Sequence, residues 1–100
     1  MIIVIARVEF DPEHLGTVEP ALDAMMKATW EESGCLSYSM AIECRHQAVC
    51  SIVERWENEA ALKAHFHTPH MAAFNAAIMG KVGSMDARIY DASNERPLVF

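Results

Sequence analysis

The stretch Ile52–Val53–Glu54–Arg55–Trp56–Glu57–Asn58–Glu59–Ala60–Ala61–Leu62–Lys63–Ala64–His65–Phe66–His67–Thr68–Pro69–His70 decides the reading of this chain. A short apolar run ends in Glu-x-Trp and hands over to an amphipathic helical pattern. Asn58 is a capping residue, suited to accept a hydrogen bond from a free N–H of the first helical turn. Thr68–Pro69 then restarts the helix, with Thr68 as its cap and Pro69 at the first helical position, where a missing N–H costs nothing. Ala61, Leu62, Ala64 and Phe66 are expected to point inward from the first piece. Met71, Phe74, Ile78 and Met79 continue the stripe in the second, and Gly80 and Gly83 end it.

Working back from there, Val49–Trp56 pairs with a strand over residues 36–43 through the polar turn Arg45–His46–Gln47, so 35–56 reads as a hairpin. In the earlier strand the bulky Leu36, Tyr38, Met40 and Ile42 share one face; the small Cys35, Ser37, Ser39 and Ala41 share the other. Before it, Leu15, Val18, Leu22, Met25, Met26, Thr29 and Trp30 recur at helical spacing. Pro20 places the helix start near Thr17, with His14–Gly16 as a separate turn, Trp30 in the core and Gly34 as the closing glycine. Ile2–Phe10 opens as a strand with Ile2, Val4, Ala6, Val8 and Phe10 on one face and Ile3 and Ile5 on the other. Met85–Asp91 forms a fourth strand, and Ala92–Phe100 a tail.

Strand, helix, strand, strand, helix, strand is the order of an α+β, ferredoxin-like β-α-β-β-α-β fold with an antiparallel sheet. Residues 1–100 are read as one domain, the size of a single core. Two helices cover one sheet face. The other face keeps apolar side chains, and a homodimer with its sheets face to face would cover them. An apolar fraction of 52% with seven methionines points the same way, because a second interface is the natural place for the surplus.

Charge excludes several functions. Eight Lys and Arg against 14 Asp and Glu leave a net charge of −6. A nucleic-acid partner would need a basic stripe, and none is present. An anionic membrane would repel the chain. The start Met1–Arg7 is too short for a signal sequence and lacks a basic leader. No run approaches the roughly 20 apolar residues of a membrane span. A cytoplasmic location is therefore expected. Cys35, Cys44 and Cys50 are odd in number and show no C-x-x-C spacing, which fits reduced thiols.

The candidate chemistry sits where the strand meets the helix. Imidazole titrates near neutral pH unaided, so the cluster His65, His67 and His70 stands out. A zinc trio would need all three to converge. His65 and His67 face different ways, and Thr68–Pro69 interrupts the helix before His70, so no metal is expected. His65 is read as the inward one, either a satisfied core residue or a proton acceptor in a cavity. Trp56 is either core or a flat ligand wall. Glu54 lies on the same strand face as Trp56, where desolvation would disfavour its charge; a place on the rim is the alternative. Tyr38 offers a hydroxyl from the neighbouring strand. No phosphate-cradling glycine loop, dinucleotide fingerprint or G-x-S-x-G elbow occurs, so no cofactor is expected.

Two motifs carry a resemblance. Thr29–Trp30–Glu31–Glu32–Ser33–Gly34–Cys35–Leu36–Ser37–Tyr38 is similar to the pattern S/T-R-x-E-P-G-C-L-x-Y. Glu54–Arg55–Trp56 followed by Ala61–Leu62–Lys63–Ala64–His65–Phe66–His67–Thr68–Pro69–His70 is similar to E-x-W…A-L-x-x-H…S/T-P-H. In this order they resemble the antibiotic biosynthesis monooxygenase domain family. The resemblance implies a dimeric α+β barrel of ferredoxin-like subunits. It also implies oxidation of quinols or anthrones by molecular oxygen without metal or flavin. It makes His65 the catalytic polar group, with Trp56, Tyr38, Glu54 and His70 as substrate-binding residues. Trp30 and Ser33 replace the motif's arginine and proline. Asn75 stands where haem-degrading relatives carry an axial histidine, which argues against haem. A non-catalytic ligand-binding or stress-response barrel is the competing expectation, and a haem-degrading or isomerase-type relative is the third.

Overall fold

The structure is a computed structural model that describes residues 1–100. Along the chain run β1 (Ile2–Phe10), a 3-10 turn (Pro12–His14), α1 (Leu15–Thr29), β2 (Cys35–Cys44), β3 (Val49–Trp56), α2 (Glu59–His65), α3 (Pro69–Ile78) and β4 (Val82–Asp91). The strands form one sheet in the order β2-β3-β1-β4, and every neighbouring pair is antiparallel. This is the ferredoxin-like arrangement that the element order predicts, with the second helix divided in two at Thr68. None of the helices is long and apolar enough to cross a membrane.

Side-chain alternation explains the layers. On β1 the residues Ile2, Ala6, Val8 and Phe10 are buried under the helices, whereas Ile5 on the opposite face is 48% exposed. The outer face of the sheet is thus uncovered in a single chain. α1 lays its stripe Leu15, Val18, Leu22, Met25 and Thr29 on the inner face. That stripe begins at Leu15, so the helix begins there too. Gly16 lies in its first turn, and the separate turn falls earlier, at Pro12–His14. Pro20 therefore sits two residues deeper than the sequence suggests, where it has no N–H to offer the Gly16 carbonyl.

α1 also stops sooner than expected, at Thr29. Trp30, expected in the core, is 54% exposed because the helix ends beneath it. Its ring leans on β2 instead, with the indole Nε1–H donating to the Tyr38 carbonyl at 2.7 Å. Gly34 closes the following turn rather than the helix. The register of β2 against β3 slips by one residue there: Cys35 pairs with Trp56, and Ser37 with Arg55. Leu36 is the extra residue of this bulge and turns outward, 45% exposed. Cys35, expected on the small-residue face, is carried round to pack against the core.

The two short helices start as their caps dictate. The Asn58 side chain accepts from the Ala61 N–H at 2.9 Å, and the Thr68 hydroxyl accepts from the Met71 N–H at 3.2 Å. On α2 the buried residues are Leu62 and His65, one turn apart. Ala64 and Phe66 are exposed, because a helix of two turns can offer only one narrow stripe to the sheet. β4 begins at Val82, so Gly83 is a strand residue and not a helix end.

Gly34 joins the layers. Its φ is +84°, its carbonyl accepts from the Glu57 N–H at 2.9 Å, and a Cβ there would fall 2.6 Å from the Ala61 Cβ. Gly80 has a similar φ of +77° but open space around it. Gly80→Ala should cost only the backbone strain, about 1 kcal/mol, and Gly34→Ala clearly more, because α2 must also move. Thermal or denaturant unfolding of the two variants checks this; equal losses would show that the contact with Ala61 carries no weight.

Candidate active site

β3 places two large side chains on the inner face of the sheet. Glu54 and Trp56 are two residues apart, so they point the same way. Tyr38 of β2 lies directly opposite Glu54 in the register. Trp56 is fully buried, and an indole N–H in that position needs an acceptor. It donates to Glu54 Oε1 at 3.0 Å.

Glu54 and Tyr38, with Asn75 from α3, form the polar part of a cavity of about 550 Å³. Its walls come from the sheet (Val4, Ala6, Val8, Ile52) and from the helices (Met25, Met71, Phe74, Ile78), and it reaches Val82 and Met85 on β4. Nearly all of this lining is apolar. Burial pushes the Glu54 carboxyl above the usual carboxylate range, while the Trp56 hydrogen bond and the nearby His65 pull it partway back. Burial also raises the Tyr38 phenol, and the neighbouring Glu54 and Glu32 raise it further, so it stays protonated as a donor. A smaller groove of about 290 Å³ beside Leu62 and Ile89 has exposed side chains as its charged groups, Glu59, Lys63 and Arg88.

Beside the cavity wall sits a hydrogen-bonded cluster. α2 delivers His65 as its last residue, fully buried. Its ring lies 4.9 Å from Trp56 and 5.3 Å from Tyr38, centre to centre. Glu32, in the turn after α1, places Oε2 2.6 Å from His65 Nδ1 and 2.6 Å from His70 Nε2. The Thr68 hydroxyl fixes the step between the helices, donating to the His65 carbonyl at 2.8 Å while it caps α3. His65 Nε2 and Thr29 Oγ1 are the buried side-chain polar atoms without a partner.

Of the residues singled out in the sequence, Tyr38 and Glu54 line the cavity. Trp56 and His65 do not reach its surface; they pack directly against those that do. His70 turns to Glu32 instead of the cavity, and His67 is exposed. Asn75 is on the cavity wall. Sequence reasoning missed Glu32 as a site residue. It stands inside the first motif, but no spacing announces that a turn acid will meet two histidines more than 30 positions away.

The cluster also bears on metal binding. The ligand atoms of Glu32, His65 and His70 lie within 4.8 Å of one another. A tetrahedral ion with bonds of about 2.0–2.2 Å would hold them roughly 3.4 Å apart. The observed 2.6 Å contacts are those of charge-assisted hydrogen bonds. The thiols are free, and burial pushes that of Cys50 up to about 11, which makes it a poor nucleophile or ligand.

Comparison with known proteins agrees with this architecture. Residues 1–77 match the antibiotic biosynthesis monooxygenase family. The chain is 34% identical over 99 residues to the protein named "Probable quinol monooxygenase YgiN" of Escherichia coli K12, covering 89% of this chain and 95% of the relative. It superposes on Rv0793 of Mycobacterium tuberculosis with a TM-score of 0.84 at 26% identity, over 96% of this chain and 98% of the other. A Deinococcus radiodurans structure superposes over the whole of both chains with a TM-score of 0.88; at 23% identity it speaks for the fold alone. With this sequence match and this fold, the chain belongs to the antibiotic biosynthesis monooxygenase family.

Proposed function

We propose that this monooxygenase-family chain oxidises a quinol, an anthrone or a similar phenolic aromatic with molecular oxygen, without metal, flavin or haem. The observation that carries the reading is an apolar cavity of about 550 Å³ with a buried carboxylate and a phenol at one wall. The name of the Escherichia coli relative supports the quinol class.

The aromatic rings of the substrate lie among Met40, Ile52, Phe74 and Ile78, with a hydroxyl turned to Tyr38 and Glu54. Glu54 takes the phenolic or carbon-acid proton; its raised proton affinity narrows the gap to such weak acids. The Trp56 N–H keeps the carboxylate aimed. His65 packs against Trp56 and Tyr38 one layer behind the cavity wall, with its Nε2 unpartnered, and is the second acceptor for the proton. The Tyr38 O–H donates to the oxygen on which charge develops. The substrate anion, held out of water, passes one electron to oxygen, and the two radicals recombine to a carbon-bound peroxide. Cleavage of its O–O bond leaves one oxygen on carbon and releases the other as water. A quinol plus O₂ thus gives a hydroxyquinone plus water, and an anthrone CH₂ becomes C=O plus water. All four electrons come from the substrate.

The working unit in this reading is a homodimer. Ile5 and Val53 on the outer sheet face are exposed, as are Met85 and Ile89 on β4 and Leu98, Val99 and Phe100 in the tail. Exposed apolar side chains on both sheet faces and along the tail are surface that a partner subunit would cover. Analytical ultracentrifugation at micromolar concentration should give twice the chain mass of 11.2 kDa; a single species at the chain mass would contradict it.

Oxygen uptake by the metal-free protein with a panel of quinols and anthrones tests the activity. Uptake should depend on protein and fall by about 10²–10⁴ in Glu54→Gln, the usual worth of a positioned base. His65→Ala should cut kcat far more than it raises KM. No uptake across the panel would favour the ligand-binding alternative.

Stability supplies an independent check on Glu54. Its folded pKa is raised above the ordinary 4.5, so its protonated form favours the fold. That contribution is present below the ordinary value and is lost as pH rises through the folded value. Glu54→Gln removes the titration and keeps an oxygen for the Trp56 N–H. The variant should match the parent below about pH 4 and melt higher at pH 8. A parent that melts higher at pH 8 would reverse the direction assigned to Glu54.

A further inference from the structure

Glu32 meets two imidazoles with a single oxygen. Its Oε2 lies 2.6 Å from both His65 Nδ1 and His70 Nε2, and its side chain is only 12% exposed. A carboxylate oxygen accepts and cannot donate, so each nitrogen facing it at that distance carries hydrogen. For His65 this decides the tautomer. The opposite tautomer of the neutral ring would press a lone pair on Nδ1 against the carboxylate. It would also place an N–H on Nε2, which is buried and has no acceptor. An orphaned buried donor of that kind is a cost to the fold. The second donor, His70, holds the carboxylate oxygen from the α3 side. Thr68, bonded to the His65 carbonyl and the Met71 N–H, fixes the spacing between the histidines.

We propose that Glu32 is the positioning residue of this site: it holds His65 as the Nδ1–H tautomer, leaves the Nε2 lone pair as the free acceptor, and balances the imidazolium formed when His65 takes a proton. The catalytic consequence rests on the reading under Proposed function; the tautomer does not. A proton that reaches His65 from the cavity side is taken up at the Nε2 lone pair. No electron moves, and the Nδ1–H stays where it is. The other titratable groups packed around the cluster are Tyr38 on β2, Glu54 on β3 and Cys35 at the start of β2. Burial and the two nearby carboxylates raise the Cys35 thiol, so it adds no charge.

Long-range proton–nitrogen correlation spectra of the full chain, labelled with ¹⁵N-histidine, read the tautomer directly. At pH 8 His65 should show a protonated Nδ1 and a bare Nε2. In Glu32→Gln that preference should weaken. With a substrate found active in the uptake panel, kcat should fall about 100-fold, with KM within about twofold and the pH profile displaced. Glu32→Asp, which keeps the charge, should recover part of the loss. Wild-type His65 protonated on Nε2 would overturn the proposal, and that measurement needs neither a variant nor activity. So would a Glu32→Gln enzyme with unchanged kcat and pH profile. Zinc taken up at one ion per chain, with loss of the His65 Nδ1 proton signal, would mean a metal centre instead. A correct tautomer in a protein inactive across the panel would leave Glu32's hold on His65 standing and remove the proposed reaction.

Discussion

One carboxylate oxygen ties together the three segments that build the site. Glu32 Oε2 draws the end of α2 and the start of α3 to the turn that follows α1. These segments are short or irregular, and none would hold its position by helix propensity alone. A paired, charge-assisted contact in a shielded place is worth more than the same contact at the surface, where water competes. Gly34, two residues on, lets α2 lie close over the same turn. The position of His65 against Trp56 and Tyr38 follows from these two contacts together.

The cavity is the counterpart of that rigidity. The inner face of the sheet is broader than α1 and the two short helices can cover. The gap is lined by Met25, Met40, Met71 and Met85 among other apolar side chains. Thioethers are flexible and polarisable, and they adapt to a ligand without a fixed shape. Into this apolar space β3 brings one acid. A buried carboxyl is a cost to the fold unless it is partnered, and the Trp56 N–H offsets part of it. Such a group, destabilised as an anion and aimed by a hydrogen bond, is the kind of base that weakly acidic aromatics need.

Much of this was legible in the residues. The apolar periods of β1, α1 and β3, the Asn58 and Thr68 caps and Pro69 at a helix start are local, and local chemistry decided them in the folded chain. Glu54 and Trp56 share a face because strand alternation leaves no choice, and Tyr38 joins them through the hairpin pairing. The errors cluster where a period meets an end. Trp30 fits the helical stripe but falls one residue beyond the helix. Phe66 fits the α2 pattern but lies past the turn that faces the sheet. Cys35 and Leu36 exchange faces because one inserted residue shifts the pleat, and composition carries no sign of that slip.

The sequence by itself therefore determined the class of fold, the strand that carries the acid and the indole, and the helix end that carries the buried histidine. These follow from spacing along the chain. Tertiary structure alone decided what those side chains meet. It put Tyr38 and Glu54 on the cavity wall and kept His65 one layer back. It also turned His70 away from the cavity towards Glu32. The reason is physical: period and capping act over a few residues, whereas a buried acid finds its donors wherever folding brings them, at separations of 33 and 38 positions here.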